Sequence, residues 1–166
     1  MTTDVGFLYA MAGVSMSVAS IAGLVVAFRR TGTWAALDLY RLRQIVEWGF
    51  ANASLSLAAF PLASWLGAEA SAMRVLGVVA LAYLAVNVIL LFRRRAALRD
   101  AAAAREVVPV TPFVVAVDIA AIMLTTATAI LGTMAAWESA LIAMALRPMI
   151  AFVWVLATLR AEGDAR

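Results

Sequence analysis

The sequence predicts an all-α, polytopic integral membrane bundle of five transmembrane helices, with the N-terminus outside and the C-terminus in the cytoplasm. Three observations lead there. Of 166 residues, 66% are hydrophobic and only 14% charged, whereas a soluble domain is nearer half apolar and a quarter charged. The apolar residues gather in five stretches, each of roughly 20 residues, enough at ~1.5 Å per residue to cross a ~30 Å hydrocarbon core. The basic residues fall almost wholly on one side of those stretches. At this length residues 1–166 read as one transmembrane helical domain.

The first stretch, 7–28, is stopped by Arg29-Arg30. The tail before it is acidic and lacks the basic n-region of a signal peptide, so the stretch reads as a retained anchor. Ser15, Ala19, Gly23 and Ala27 recur in it at four-residue steps. Small residues so placed let two backbones approach, and mark a packing face within the chain or between subunits. Residues Thr33 to Gln44 mix Trp34, Leu37 and Tyr40 with Asp38, Arg41 and Arg43. They form either an interfacial helix or the projecting start of the second helix.

The second helix is expected over 45–66 and the third over 73–92. Arg93, Arg94 and Arg95 stop the third in the membrane and should attract anionic lipid headgroups, at roughly 1 kcal/mol per residue. Ala96 to Glu106 has high helix propensity and no breaker, so the third helix is expected to continue into the cytoplasm to about 106. Two prolines, Pro109 and Pro112, then redirect the chain.

The fourth and fifth helices are expected over 113–137 and 140–159. As one helix this segment would be ~70 Å long, more than twice the core thickness, so it must turn back. Glu138-Ser139 is the polar break, and Ser139 is a natural N-cap for the returning helix.

Orientation follows from arginine. All thirteen basic residues are Arg, and eleven of them lie on one side: four in the first connection, five in the third and two in the C-terminal tail. Only Arg74 lies opposite, and Arg147 falls within a span. The positive-inside rule puts the eleven in the cytoplasm. The exclusive use of Arg together with abundant Ala points to a GC-rich bacterial source, hence to the bacterial cytoplasmic (inner) membrane. Trp34, Trp48, Trp65 and Trp137 fall near the ends of stretches and read as aromatic-belt anchors, with Trp154 a further candidate.

The chain has no His, Cys or Lys. Imidazole bases, thiol nucleophiles, soft-metal sites and His- or Cys-ligated haem are therefore excluded. No metal site and no cofactor are expected, and an embedded enzyme would have to work with carboxylates and Arg alone. The arginines also lack the extended basic face and stacking aromatics of a nucleic-acid binder.

Function must therefore sit in the polar residues inside the spans, because an ionisable group near the bilayer centre costs roughly 2.5–3.5 kcal/mol on insertion scales. The candidates are Glu47, Asp118 and Arg147, with Asn52 and Asn87 as neutral companions. Asp118, Ala121, Thr125, Thr128 and Gly132 share one face of the fourth helix. That face either lines a pathway, with Asp118 as a cation or proton site, or packs closely, with the threonines bonded to their own helix. Arg147 stands beside Pro148, which frees a carbonyl one turn earlier and should kink the helix. From the expected boundaries Arg147 lies ~20 Å from the inner edge and ~10 Å from the depth of Asp118. It could gate or balance a pathway, contact a headgroup, or pair with Asp118 and lock the hairpin.

Two functions fit. One is an oligomeric ion or proton channel or transporter-like protein, with Asp118, Thr125, Thr128, Asn87, Glu47 and Asn52 on its path. The other is a non-catalytic accessory or assembly subunit of a larger membrane complex. Membrane lipids, and a second copy or a host complex, are the partners implied.

Overall fold

The structure, a computed structural model, describes residues 5–28, 36–98 and 112–164. They form five helices: α1 (Val5–Phe28), α2 (Ala36–Leu66), α3 (Glu69–Leu98), α4 (Pro112–Leu131) and α5 (Met134–Asp164). Four of them carry segments long and apolar enough to cross a membrane, Val5–Val25, Glu69–Leu90, Pro112–Leu131 and Met134–Ala157, which is the make-up of a membrane protein. The other helix, α2, is longer than most but less apolar: its first turns carry Asp38, Arg41 and Arg43, and its apolar half is interrupted by Asn52, Ser54, Ser56 and Pro61. Residues 36–44 belong to this continuous helix, not to a separate interfacial one. The expected continuation of the third helix beyond Leu98, and Trp34, lie outside the described residues.

The helices form a fan of three triplets, α1–α2–α5, α2–α3–α5 and α3–α4–α5, so α5 touches every other helix. The main core gathers Leu8, Met73, Leu76, Trp137, Leu141 and Met144, all with almost no exposed surface. A smaller cluster of Ala22, Leu42, Ile45 and Val155 ties α1, α2 and α5 together. Large apolar side chains also stand outward on every helix, among them Leu24, Phe50, Val78, Met123, Ile130 and Val153. In water a surface of this kind would drive aggregation, whereas lipid tails solvate it.

Two close approaches fix the helix spacing. A Cβ on Gly49 would stand 2.8 Å from the Ser15 carbonyl oxygen and 2.9 Å from the Ala19 Cβ, so α1 and α2 meet nearly backbone to backbone. A Cβ on Gly77 would stand 2.5 Å from the Ala129 nitrogen, so α3 and α4 do the same. Ser15 and Ala19 therefore pack inside the chain. The rest of the expected stripe does not follow them. The buried positions of α1 are Leu8, Ala12, Ser15, Ala19 and Ala22, alternating steps of four and three. Strict four-residue steps outrun a period of 3.6, so by Gly23 the stripe has rotated outward. Nothing stands within 4 Å of where a Gly23 Cβ would be. The side chain of Ala27 lies outside the described residues.

The hairpin turns earlier than the polar break implies. Gly132 adopts φ 66°, the left-handed conformation, and its N–H donates to the Thr128 carbonyl at 2.9 Å. That single bond is the αL closure of a helix C-terminus, which glycine makes without a Cβ penalty. The Trp137 N–H then donates to the Thr133 carbonyl at 3.2 Å, making Thr133 the N-cap of α5. Ser139 is accordingly no cap. It lies in the second turn of α5 and its hydroxyl donates to the Ala135 carbonyl at 2.8 Å. Trp137 is no belt anchor either: it is wholly buried in the core. Trp48, also buried, is another interior residue, while Trp65, 86% exposed at the end of α2, keeps the position of an anchor.

Candidate functional site: a polar cleft among four helices

The position of the turn decides what Arg147 can reach. Asp118 is fourteen residues before Gly132, and Arg147 fourteen after Thr133. On two antiparallel arms of equal length, ~21 Å each at 1.5 Å per residue, the two side chains stand level. The depth gap of ~10 Å expected from inner edges at Pro112 and Arg160 therefore vanishes. An Arg147 Nη donates to an Asp118 carboxylate oxygen in a direct ion pair. The Arg147 side chain is 13% exposed and that of Asp118 34%, so the pair is half-sunk and not fully dry. Arg147 does not turn to the carbonyl freed by Pro148; its second contact is the face of Trp48, 5.6 Å from ring centroid to guanidinium. This is within cation–π range. Pro148 itself is buried inside α5, which continues through it as helix.

Trp48 in turn packs against Tyr83 in a T-shaped pair, with centroids 5.7 Å apart and planes at 69°. The Tyr83 hydroxyl donates a long bond, 3.4 Å, to the Glu47 carbonyl. Asn87, one turn along α3, donates to the Tyr83 carbonyl at 2.9 Å. A chain of contacts thus runs Tyr83, Trp48, Arg147, Asp118 and joins α3, α2, α5 and α4. Beside it lies a partly open cleft of about 30 Å³, walled by Gln44, Trp48, Asn87, Asp118, Ile122 and Arg147 together with Leu84 and Val88. That is room for roughly a water or two. Among the described residues no three acidic side chains gather to hold a metal.

The six residues proposed for a pathway separate. Asn87 and Asp118 line the cleft. Thr125 and Thr128 have no exposed surface, and their hydroxyls donate to the Ala121 and Leu124 carbonyls at 2.7 and 2.8 Å. Asn52 is buried elsewhere, where α1, α2 and α5 meet, and donates to the Ser15 hydroxyl at 3.0 Å and to the Leu141 carbonyl at 3.4 Å. Glu47 stands on the flank of α2, paired with Arg43 one turn before it at 2.5 Å. Arg93 is exposed near the end of α3, and the side chains of Arg94 and Arg95 lie outside the described residues.

Two wall and support residues, Gln44 and Tyr83, are not singled out by sequence, and Trp48 reads there as a belt anchor, not as part of a site. A signal existed: Gln44 and Trp48, Leu84 and Val88, and Asp118 and Ile122 are each four apart, so α2, α3 and α4 each present a one-turn pair to the same space. A larger, shallow groove of about 490 Å³ lies between α2 and α3, lined almost wholly by apolar groups including Leu55, Pro61, Leu62, Trp65 and Val79. No known protein family, curated protein or solved structure matches the chain.

Proposed function

We propose that the protein is a small integral membrane subunit that works by association, as a non-catalytic accessory or assembly component of a larger membrane complex. The observation that carries this reading is the use of its intramembrane polar groups: Asp118 is held by Arg147, Thr125 and Thr128 by their own helix, and Asn52 by Ser15 and Leu141. Charges satisfied inside the chain fasten helices and leave little to conduct. In this reading all five helices cross the bilayer, because α2 lies among α1, α3 and α5 with Asn52 and Ser56 turned into the bundle. The end that gathers eleven of the thirteen Arg faces the cytoplasm of a bacterium, with Arg93, Arg94 and Arg95 on anionic headgroups. The outward face of α1 offers Gly6, Ala10, Gly13, Ser17 and Ser20 to a neighbouring transmembrane helix.

Purification from native membranes in mild detergent, followed by mass spectrometry, tests this. A stoichiometric second polypeptide is expected, and Gly13→Leu should weaken its retention. A homo-oligomer alone would overturn the reading.

One observation favours a second reading, an oligomeric ion or proton channel or transporter-like protein. Asp118 is a third exposed at a cleft, and such a cleft could join a path between subunits. Liposomes carrying the protein would then show ion or proton flux altered by Asp118→Asn. Flux equal to that of empty liposomes removes this reading.

A further inference from the structure

α4 is held unevenly along its length. Its outer half buries Ala121, Thr125 and Thr128, and it meets α3 nearly backbone to backbone where Gly77 faces Ala129. Gly132 closes that end and turns the chain into α5. The inner half buries Val117 alone, while Phe113, Val115 and Ile119 stand outward. What fastens this half to α5 is the Asp118–Arg147 pair. Asp118 walls the partly open cleft and a third of its side chain is exposed, so a proton can reach it. The helix holds no glycine, and no proline beyond its first residue, so any movement is that of a rod.

We propose that the Asp118–Arg147 pair is a proton-sensitive latch: the carboxylate holds the inner half of α4 against α5, and its protonation lets the helix pivot outward about the end pinned at Gly77 and Gly132. Electrostatics gives the direction. Around the carboxylate the cleft presents Arg147 from α5, Gln44 and Trp48 from α2 and Asn87 from α3, and of these only Arg147 is charged. Glu47 is turned to Arg43, and Tyr83 packs on Trp48. An ionised Asp118 therefore has one strong partner. A protonated one leaves the Arg147 side chain, 13% exposed, without an anion. A stranded charge in the apolar part of the bundle is costly until water reaches it, and an outward tilt of α4 widens the cleft to admit that water. The closed form is thus favoured while Asp118 is ionised and is lost as pH falls. From Ala129 to Phe113 is ~24 Å of helix, so a tilt of ~10° carries Phe113 about 4 Å. The inference does not depend on the accessory-subunit reading.

The chain has no cysteine, so spin labels can be introduced in pairs without background. α1 and α4 lie at opposite edges of the fan. Exposed positions on each report the two ends, Leu24 with Phe113 for the inner and Ala10 with Ile130 for the outer. Double electron–electron resonance of the full chain in nanodiscs reads both distances. Asp118→Asn should lengthen the inner distance by about 4 Å and leave the outer one within about 1 Å. Acidifying the parent should lengthen the inner distance likewise, while Asp118→Asn shows no such response. An inner distance unchanged by the substitution, or an acid response that survives it, would each overturn the proposal. If Asp118→Asn shifts the outer distance too, Arg147→Gln opens the same latch from α5. An outer shift there as well would mean that α4 has no pinned end, and would also overturn the proposal.

Discussion

Removing one charge of the Asp118–Arg147 pair should destabilise the bundle, and removing both should restore most of it. Two unit charges 4 Å apart attract by about 4 kcal/mol at an effective dielectric constant of 20. Deleting one partner of a fully buried pair costs about 3–5 kcal/mol, mostly from the stranded charge. Asp118 is 34% exposed, so water relieves part of that penalty. Asp118→Leu should therefore cost about 2–3 kcal/mol, softened because Arg147 keeps the Trp48 face, itself worth up to about 2 kcal/mol when desolvated. Arg147→Met strands a carboxylate with no such face, and should cost the same or slightly more. The double variant Asp118→Leu/Arg147→Met removes both charges and fills the space with apolar atoms, so it should lie within about 1 kcal/mol of the parent. The coupling energy of the cycle is then about 3 kcal/mol or more. Unfolding titrated with SDS in mixed micelles and followed by far-ultraviolet circular dichroism reads all four proteins. Losses that simply add in the double variant would refute the reasoning, because they would mean that the two residues act apart.

Three further outcomes follow from the backbone contacts. Gly77→Ala drives a Cβ to 2.5 Å from the Ala129 nitrogen, and because backbone cannot yield as a side-chain tip does, a loss of about 1–3 kcal/mol is expected in the same titration. Gly132→Ala combines a left-handed alanine with an approach of 2.6 Å to the Ala70 carbonyl oxygen, and should cost about 2 kcal/mol or more. Gly23→Ala meets nothing within 4 Å and should stabilise α1 by up to about 1 kcal/mol, read as a raised melting temperature of the isolated chain.

The helices were legible because bilayer thickness quantises them: blocks of about 20 apolar residues leave little choice of number or state. Their ends were less so. Glu138-Ser139 looks like a break by polarity, yet Ser139 is tolerated inside α5 because its hydroxyl bonds back to Ala135. The better signal was Gly132-Thr133, a C-terminal glycine followed by an N-cap residue; counting from that turn, and not from the inner edges at Pro112 and Arg160, sets Arg147 level with Asp118. The polar face of α4 was legible in the spacing of Asp118, Thr125 and Thr128. What it faces was not, since a threonine that serves its own helix has the same spacing as one that lines a path. Trp48 shows a further limit. An aromatic near the end of an apolar stretch suits a membrane interface, but α2 begins at Ala36, which puts Trp48 well inside a helix and against Arg147.

The equal arms of the α4–α5 hairpin also constrain how the segment can be made and how it can vary. During synthesis α4 emerges with a carboxylate whose guanidinium lies 29 residues behind it, and a lone Asp at a helix centre opposes insertion by about 2.5–3.5 kcal/mol. The two helices therefore gain by entering the bilayer as a couple, closed at Gly132. Outward-facing positions inside the arms, such as Met123, Ile130 and Ile142, can vary so long as length is conserved. A single residue gained or lost on one side would turn its charge about 100° away and shift it by ~1.5 Å, so substitutions should accumulate between Asp118 and Arg147 where insertions and deletions do not.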